Sequence, residues 1–175
     1  MGYDNGKRTG GKEHDHRGDH GKNDRLSNGD LHDIDHFLRL WGYARTIGEA
    51  EGLDEKTRFI LETAAITHDI ACPLCREKYG STSGKYQEAE GAPMVEAFLE
   101  DTGMDPAWIR RVSYLVGHHH TFTGVDGPDL QILIEADYIA NACENGYSEG
   151  NIRTFRDRIA KTETGKRLIR SVFRL

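Results

Sequence analysis

Phe59-Ile60-Leu61-Glu62-Thr63-Ala64-Ala65-Ile66-Thr67-His68-Asp69-Ile70 is the stretch whose reading decides the fold. Phe59, Ile60, Ala64 and Thr67 share one face of a helix, with Leu61, Ala65 and His68 beside it. Asp54 is set to start this helix, and Cys72-Pro73 to stop it, because proline cannot continue one. His68 follows Leu61 and Ala64 at helical spacing and so points into the core. Asp69 comes next, just before the expected break.

The same periodicity runs outward in both directions. Upstream, Asp30 or Asp33 caps a helix reaching to about Ala50, with Ile34, Phe37, Leu38, Trp41 and Ala44 at helical spacing and Gly52 ending it. Downstream, residues 72–91 read as a long polar loop, a length that is uncommon in a compact helical domain and often functional. Pro93 suits the first turn of a third helix carrying Val95, Phe98 and Leu99, which ends at Gly103. Asp105-Pro106 opens a fourth, with Trp108, Ile109, Val112, Leu115 and Val116 inward. Gly127-Pro128-Asp129 opens a fifth, with Leu130, Leu133 and Ile134. A last helix runs from about Asn151 toward the C-terminus, with Gly165 as its point of interruption. Six helices and no strand predict an all-α bundle.

Composition bounds the rest. Of the 175 residues, 37% are hydrophobic and 30% charged, and the imbalance is local. Residues 1–27 hold only Met1, Tyr3 and Leu26 as large apolar side chains, too few to offset the entropy of ordering, so this tail is expected to lack fixed structure. His14, His16 and His20 fall in it and read as solvated. The domain is placed at residues 28–175. A formal net charge of -6 argues against a nucleic-acid polymer as partner, because tracking phosphates needs a basic face. No apolar run approaches the roughly 20 residues that span a bilayer, and the first residues lack the apolar centre of a signal peptide. Three cysteines make no disulfide framework and fit a reducing cytoplasm, so Cys72 and Cys75 read as reduced thiols. The expected molecule is soluble and cytoplasmic, acts on a small molecule, and admits a homodimer.

Chemistry is signalled by polar residues on apolar faces. His119 continues the stripe of Val112, Leu115 and Val116, and Asp137 follows Leu130, Leu133 and Ile134. Each has a plainer reading alone: a core histidine satisfied by hydrogen bonds, or Asp137 paired with Arg39 or Arg110. Together with His68 and Asp69, however, three helices each aim a histidine or aspartate inward. A buried carboxylate costs several kcal/mol unless paired or bound to metal. Imidazole and carboxylate donors from facing helices are how bundles build metal sites.

Four segments, in order, resemble a known family: Asp35-His36-Phe37-Leu38-Arg39, Ile66-Thr67-His68-Asp69-Ile70, Leu115-Val116-Gly117-His118-His119-His120-Thr121 and Ile134-Glu135-Ala136-Asp137-Tyr138. This is similar to the H…HD…H…D pattern of the HD superfamily of metal-dependent phosphohydrolases, over roughly residues 30–145. The resemblance implies a helical bundle with His36, His68, Asp69 and Asp137 as ligands of a divalent ion, whether Mn, Fe, Co, Ni, Zn or Mg. It matches His118 and His119 to the later histidines of branches that bind two metals. His120-Thr121-Phe122-Thr123-Gly124 is similar to the branch that cleaves dinucleoside polyphosphates. Dinuclear members supply another histidine between the pair and the later run. Here none lies between His68 and His118, and Glu88 or Glu90 falls near that place.

The implied activity is hydrolysis of a small phosphate ester or anhydride, a nucleotide being the favoured class, with Asp69 the carboxylate assigned to the reaction. Such an ion polarises a phosphoryl oxygen and activates water. Arg39, Arg76, Lys78 and Lys85 are the candidates to meet the phosphate charge. Two alternatives stand beside this: a di-iron oxygenase on the same scaffold, and a non-catalytic module that senses metal or ligand.

Overall fold

A computed structural model of the chain describes residues 30–175, all of them in helices or short connections, with no strand among the described residues. The tail expected over residues 1–27 lies outside them. Helix α1 spans Leu31–Ala50, and its first turn is closed by the Asp30 carboxylate, which accepts from the His32 backbone N–H at 2.9 Å. Helix α2 spans Glu55–Thr67. Asp54 caps it by accepting from the N–H and the hydroxyl of Thr57 at 3.0 and 2.6 Å.

The segment after α2 corrects the sequence expectation. The helix stops at Thr67, not at Cys72, and a turn carries His68 to Ala71. Proline then opens a helix instead of ending one: α3 runs Cys72–Tyr79 with Pro73 in its first turn, where the missing N–H has no intrahelical partner to lose. Gly80 closes α3 at φ 63, a left-handed conformation glycine adopts without penalty. Helix α4 follows at once, Gly84–Leu99, with Pro93 in its interior and not in its first turn. The long polar loop is therefore two helices, whose buried residues are Cys72, Cys75, Gln87, Gly91, Val95 and Leu99.

After the 3₁₀ turn Glu100–Thr102, Asp105 caps α5 (Pro106–Val116), accepting from the Ala107 N–H at 2.7 Å. Helix α6 (Pro128–Asn145) is buried at every position from 129 to 140. It packs against α1, α2, α5 and the last helix, so it is the axle of the bundle. Leu130, Leu133, Ile134 and Ile139 are at most 1% exposed, each contributing about 1.5–3 kcal/mol of burial. The expected C-terminal helix is two, α7 (Glu149–Arg158) and α8 (Glu163–Phe173). That makes eight α-helices among the described residues.

The break between α7 and α8 falls before Thr162, not at Gly165. The fully buried Glu135 of α6 holds it there. Its Oε1 accepts from the N–H groups of Lys161 and Thr162 at 2.7 and 3.0 Å and from Gln131 Nε2 at 2.7 Å. Its Oε2 accepts from the Thr162 hydroxyl at 2.5 Å. The buried carboxylate is thus fully satisfied by the turn it fixes.

Candidate metal centre

His36 lies on the same stripe of α1 as the buried Leu40, Ala44 and Ile47. His68 is the residue that ends α2, and its Nδ1 donates to the Ala65 carbonyl at 2.9 Å. The turn behind it is closed by Ile70 N–H to Thr67 O and Cys72 N–H to Asp69 O, which faces Asp69 toward the same point. Asp137 arrives from the middle of α6.

The donor atoms of these four residues converge. His36 Nε2 lies 3.1 Å from His68 Nε2, 3.6 Å from Asp69 Oδ2 and 3.4 Å from Asp137 Oδ1. His68 Nε2 lies 3.4 Å from Asp69 Oδ2 and 3.7 Å from Asp137 Oδ1. Donors bound to one ion at about 2.1 Å sit about 3.0 Å apart at right angles and about 3.4 Å apart at tetrahedral angles. The observed separations fall around those values.

The tautomers point the same way. His36 Nδ1 donates to Glu144 Oε2 at 2.8 Å, and the carbonyl and carboxylate partners of the two Nδ1 atoms can only accept. Both Nε2 atoms therefore turn lone pairs toward each other across 3.1 Å, an arrangement relieved by a cation or a proton between them. Without an ion, the proton takes that place. Burial opposes charging His36, but its hydrogen bond to Asp137 and the charges of Asp69, Asp137 and Glu144 outweigh it and lift its pKa to about 9. Burial likewise opposes charging His68, and the Asp69 charge and hydrogen bond raise it nonetheless. Burial works against ionising Asp69 and Asp137, yet the facing imidazoles hold both below the usual carboxylate range. His36, His68 and Asp69 are placed so that they could hold one metal ion, and Asp137 Oδ1 lies 3.4 and 3.7 Å from the two imidazole Nε2 atoms.

The second oxygens of the two aspartates face the later histidines. Asp69 Oδ1 is 4.0 Å from His119 Nε2, and Asp137 Oδ2 is 4.0 Å from His120 Nδ1. Helix α5 ends at Val116, so the helical register expected through His119 does not continue. His119 is nevertheless fully buried, anchored by Nδ1 donating to the Val116 carbonyl at 2.7 Å. Burial, then the charges of His120 and His68, push its pKa down to about 3, so it is a neutral imidazole with its Nε2 lone pair in the cluster. His118 is elsewhere. Its Nδ1 donates to the Tyr114 carbonyl at 2.7 Å and its ring stacks on Tyr114 at 4.1 Å, with no contact to the four donors.

Gln87 stands where an acidic ligand was expected. Its Nε2 donates to the Thr82 carbonyl at 2.7 Å, which turns Oε1 to receive His120 Nε2–H at 3.0 Å, with His119 Nε2 at 3.3 Å. Glu88 instead accepts from the His120 N–H and the Thr121 hydroxyl, and Glu90 from Lys78 and Tyr79. The proposed phosphate cations are engaged too: Arg39 with Glu144, Arg76 with Asp33, Lys78 with Glu90. Sequence reasoning passed over Glu144, His120 and Gln87. Glu144 had a signal, since residues 137, 141 and 144 share one stripe of α6. Asn141 on that stripe donates to Asp137 Oδ1 at 2.7 Å.

The family model for the HD domain matches residues 33–142, which include His36, His68, Asp69 and Asp137. The chain belongs to the HD domain family, whose members are metal-dependent hydrolases. Its fold is similar to that of a predicted HD superfamily hydrolase from an uncultured Thermotogales bacterium. The two superpose with a TM-score of 0.67 at 21% identity, over 90% of this chain and 84% of that one. No curated protein matches the sequence. Among the described residues, no helix is long and apolar enough to cross a membrane.

Proposed function

We propose that the chain is a metal-dependent phosphohydrolase that cleaves a small phosphate ester or anhydride, with nucleotides as the favoured substrates. The observation that carries this reading is the convergence of His36, His68, Asp69 and Asp137 at ligand separations, with both imidazole Nδ1 atoms tied back. Two imidazoles and two carboxylates suit Mn, Fe, Co, Ni or Zn better than Mg. A divalent ion held there supplies Lewis acidity toward a phosphoryl oxygen and makes water a competent nucleophile near neutral pH.

The residues divide the remaining work. Asp69, with 27% of its side chain open to solvent, is the carboxylate at the mouth and accepts the proton of entering water at Oδ1. Glu144 fixes the His36 tautomer and is itself steadied by Arg39. Gln87 fixes His120 beside Asp137. A second ion beside the outer oxygens of Asp69 and Asp137, near His119 and His120, is an extension of the same reading. The partner is a small phosphorylated molecule, and the free Cys72, Cys75 and Cys143 agree with a reducing cytoplasm.

The test is phosphate release from a nucleotide panel and p-nitrophenyl phosphate, with Mn, Co, Ni, Zn or Mg restored to metal-stripped protein under anaerobic conditions. Release that His68→Ala abolishes supports the reading. Turnover that needs ferrous iron and oxygen, with no phosphate freed, transfers the centre to oxygenase chemistry.

A further inference from the structure

Between the α7–α8 turn and the segment that leads into α6 lies a cleft of about 650 Å³, within the size range of small-molecule sites. None of His36, His68, Asp69 and Asp137 lines it. Gln131, one turn before Glu135 on α6, forms part of its wall and is 8% exposed. The Gln131 Nε2 donates to Glu135 Oε1 at 2.7 Å and to the Ile159 carbonyl at 3.1 Å. Both partners only accept, so the amide is fixed in one orientation. Its Oε1 is left without a donor among the described residues. A buried acceptor in that state costs about 1–3 kcal/mol until a group entering the cleft donates to it.

Charge is the second feature. Arg158 and Lys161 both line the cleft. The Arg158 guanidinium has no carboxylate partner among the described residues. Lys161 Nζ donates to the Arg158 carbonyl at 3.2 Å and keeps further N–H groups to offer. Of the acids on the wall, Asp126 is already paired with Arg111 at 2.7 Å, and Glu51 offsets one of the two cations. The described wall is thus left with a single uncompensated positive charge, which matches a monoanion better than a dianionic phosphate. The planar fork of an arginine fits the two oxygens of a carboxylate.

The third feature is apolar surface from Phe122, Val125, Pro128 and Ile159. Phe122 is 45% exposed, and it also borders the smaller cavity beside Asp137 and His120, so its ring divides the two spaces.

We propose that this cleft is a ligand site separate from the metal centre, for a small organic monocarboxylate with an apolar body and one N–H or O–H donor. The carboxylate pairs with Arg158, with Lys161 beside it. The body packs on Phe122 and Ile159, and the donor reaches Gln131 Oε1. The site is independent of whether the metal centre cleaves phosphate esters.

The test is calorimetric titration of the full-length chain, so that the acids among residues 1–29 are present throughout. The probes are 4-hydroxybenzoate, benzoate and 4-hydroxybenzamide, each with Mn restored and with metal stripped. The expected order is 4-hydroxybenzoate first, benzoate about five-fold weaker for want of the donor, and the uncharged amide about ten-fold weaker or more. Arg158→Gln, at an exposed side chain with no partner to lose, weakens 4-hydroxybenzoate by about ten-fold or more and leaves the amide and the melting temperature unchanged. Gln131→Met erases the advantage of 4-hydroxybenzoate over benzoate. Stripping the metal changes none of these affinities. Binding that survives Arg158→Gln, or that disappears with the metal, overturns the proposal. So does the absence of binding by all three probes up to about 10 mM.

Discussion

Glu144 accepts a hydrogen bond from His36 at 2.8 Å across 108 positions of sequence. The contact ties the end of α6 to the start of α1, and it makes the donor cluster a property of the closed bundle and not of either helix. The same carboxylate takes the Arg39 guanidinium at 2.8 Å, so removing it disturbs the His36 tautomer and leaves a cation unpartnered beside the site.

Glu144→Ala is therefore expected to lower metal affinity by about 10- to 100-fold, the usual cost of losing a carboxylate behind a ligating histidine. Glu144→Gln, which keeps an acceptor, should lose less. Calorimetric titration of metal-stripped protein measures both, and unchanged affinity in Glu144→Ala would remove the carboxylate from the centre.

The three neighbouring histidines should separate by position. His119 and His120 face the outer oxygens of Asp69 and Asp137, whereas His118 stacks on Tyr114. His119→Ala and His120→Ala are expected to lower kcat/KM well below that of His118→Ala. A greater loss for His118→Ala would contradict the arrangement.

The fall of stability with rising pH should be present without metal and absent with it. In the metal-free chain the folded pKa of His36 is about 9, above the ordinary 6.5. Folding then binds the proton more tightly, a contribution complete below pH 6.5 and lost as pH rises through about 9. It amounts to at most about 3 kcal/mol. The melting temperature of metal-free protein should fall across that window. With metal bound, the cation replaces the proton and the fall disappears. A flat metal-free profile would show that His36 does not carry the proton.

Gly84 tests the seating of His120. A Cβ there would lie 2.7 Å from His120 Cγ and 2.8 Å from its Cβ, too close for the ring to stay. Gly84→Ala should reduce kcat/KM much as His120→Ala does, because the displaced ring no longer stands beside Asp137. Full activity in Gly84→Ala would mean the ring position is not needed.

Gly165 tests the α7–α8 junction. A Cβ there would come within 1.9 Å of Glu135 Oε2, so Gly165→Ala must break the network around that buried carboxylate. A loss of about 2 kcal/mol or more is expected from the denaturant midpoint. A neutral effect would show that the turn can move aside.

What the sequence disclosed depended on how local the signal was. The caps at Asp54 and Asp105 were legible because an aspartate before a periodic run has one good use. Cys72-Pro73 was misread because proline both stops one helix and opens the next, and the turn between them is too short to see. His36, His68, Asp69 and Asp137 were legible as a pattern, and the structure brings them to one point. His120 was left out of the candidate ligands because the helical stripe was carried to His119, past Val116 where the helix ends. Gln87 gave no signal: a neutral amide in a polar stretch looks like surface until its carbonyl is found between two histidines.

The burial of α6 has a consequence for how the molecule is made. On a ribosome, His36, His68 and Asp69 emerge long before Asp137 and Glu144, and α6 finds its place only when helices on every side can close around it. Three of the four donors, two imidazoles and one carboxylate, then sit on a chain not yet held in register. An ion held by all four donors would therefore be taken up late in biogenesis, and a chain ending before residue 128 would lack the helix needed to keep one.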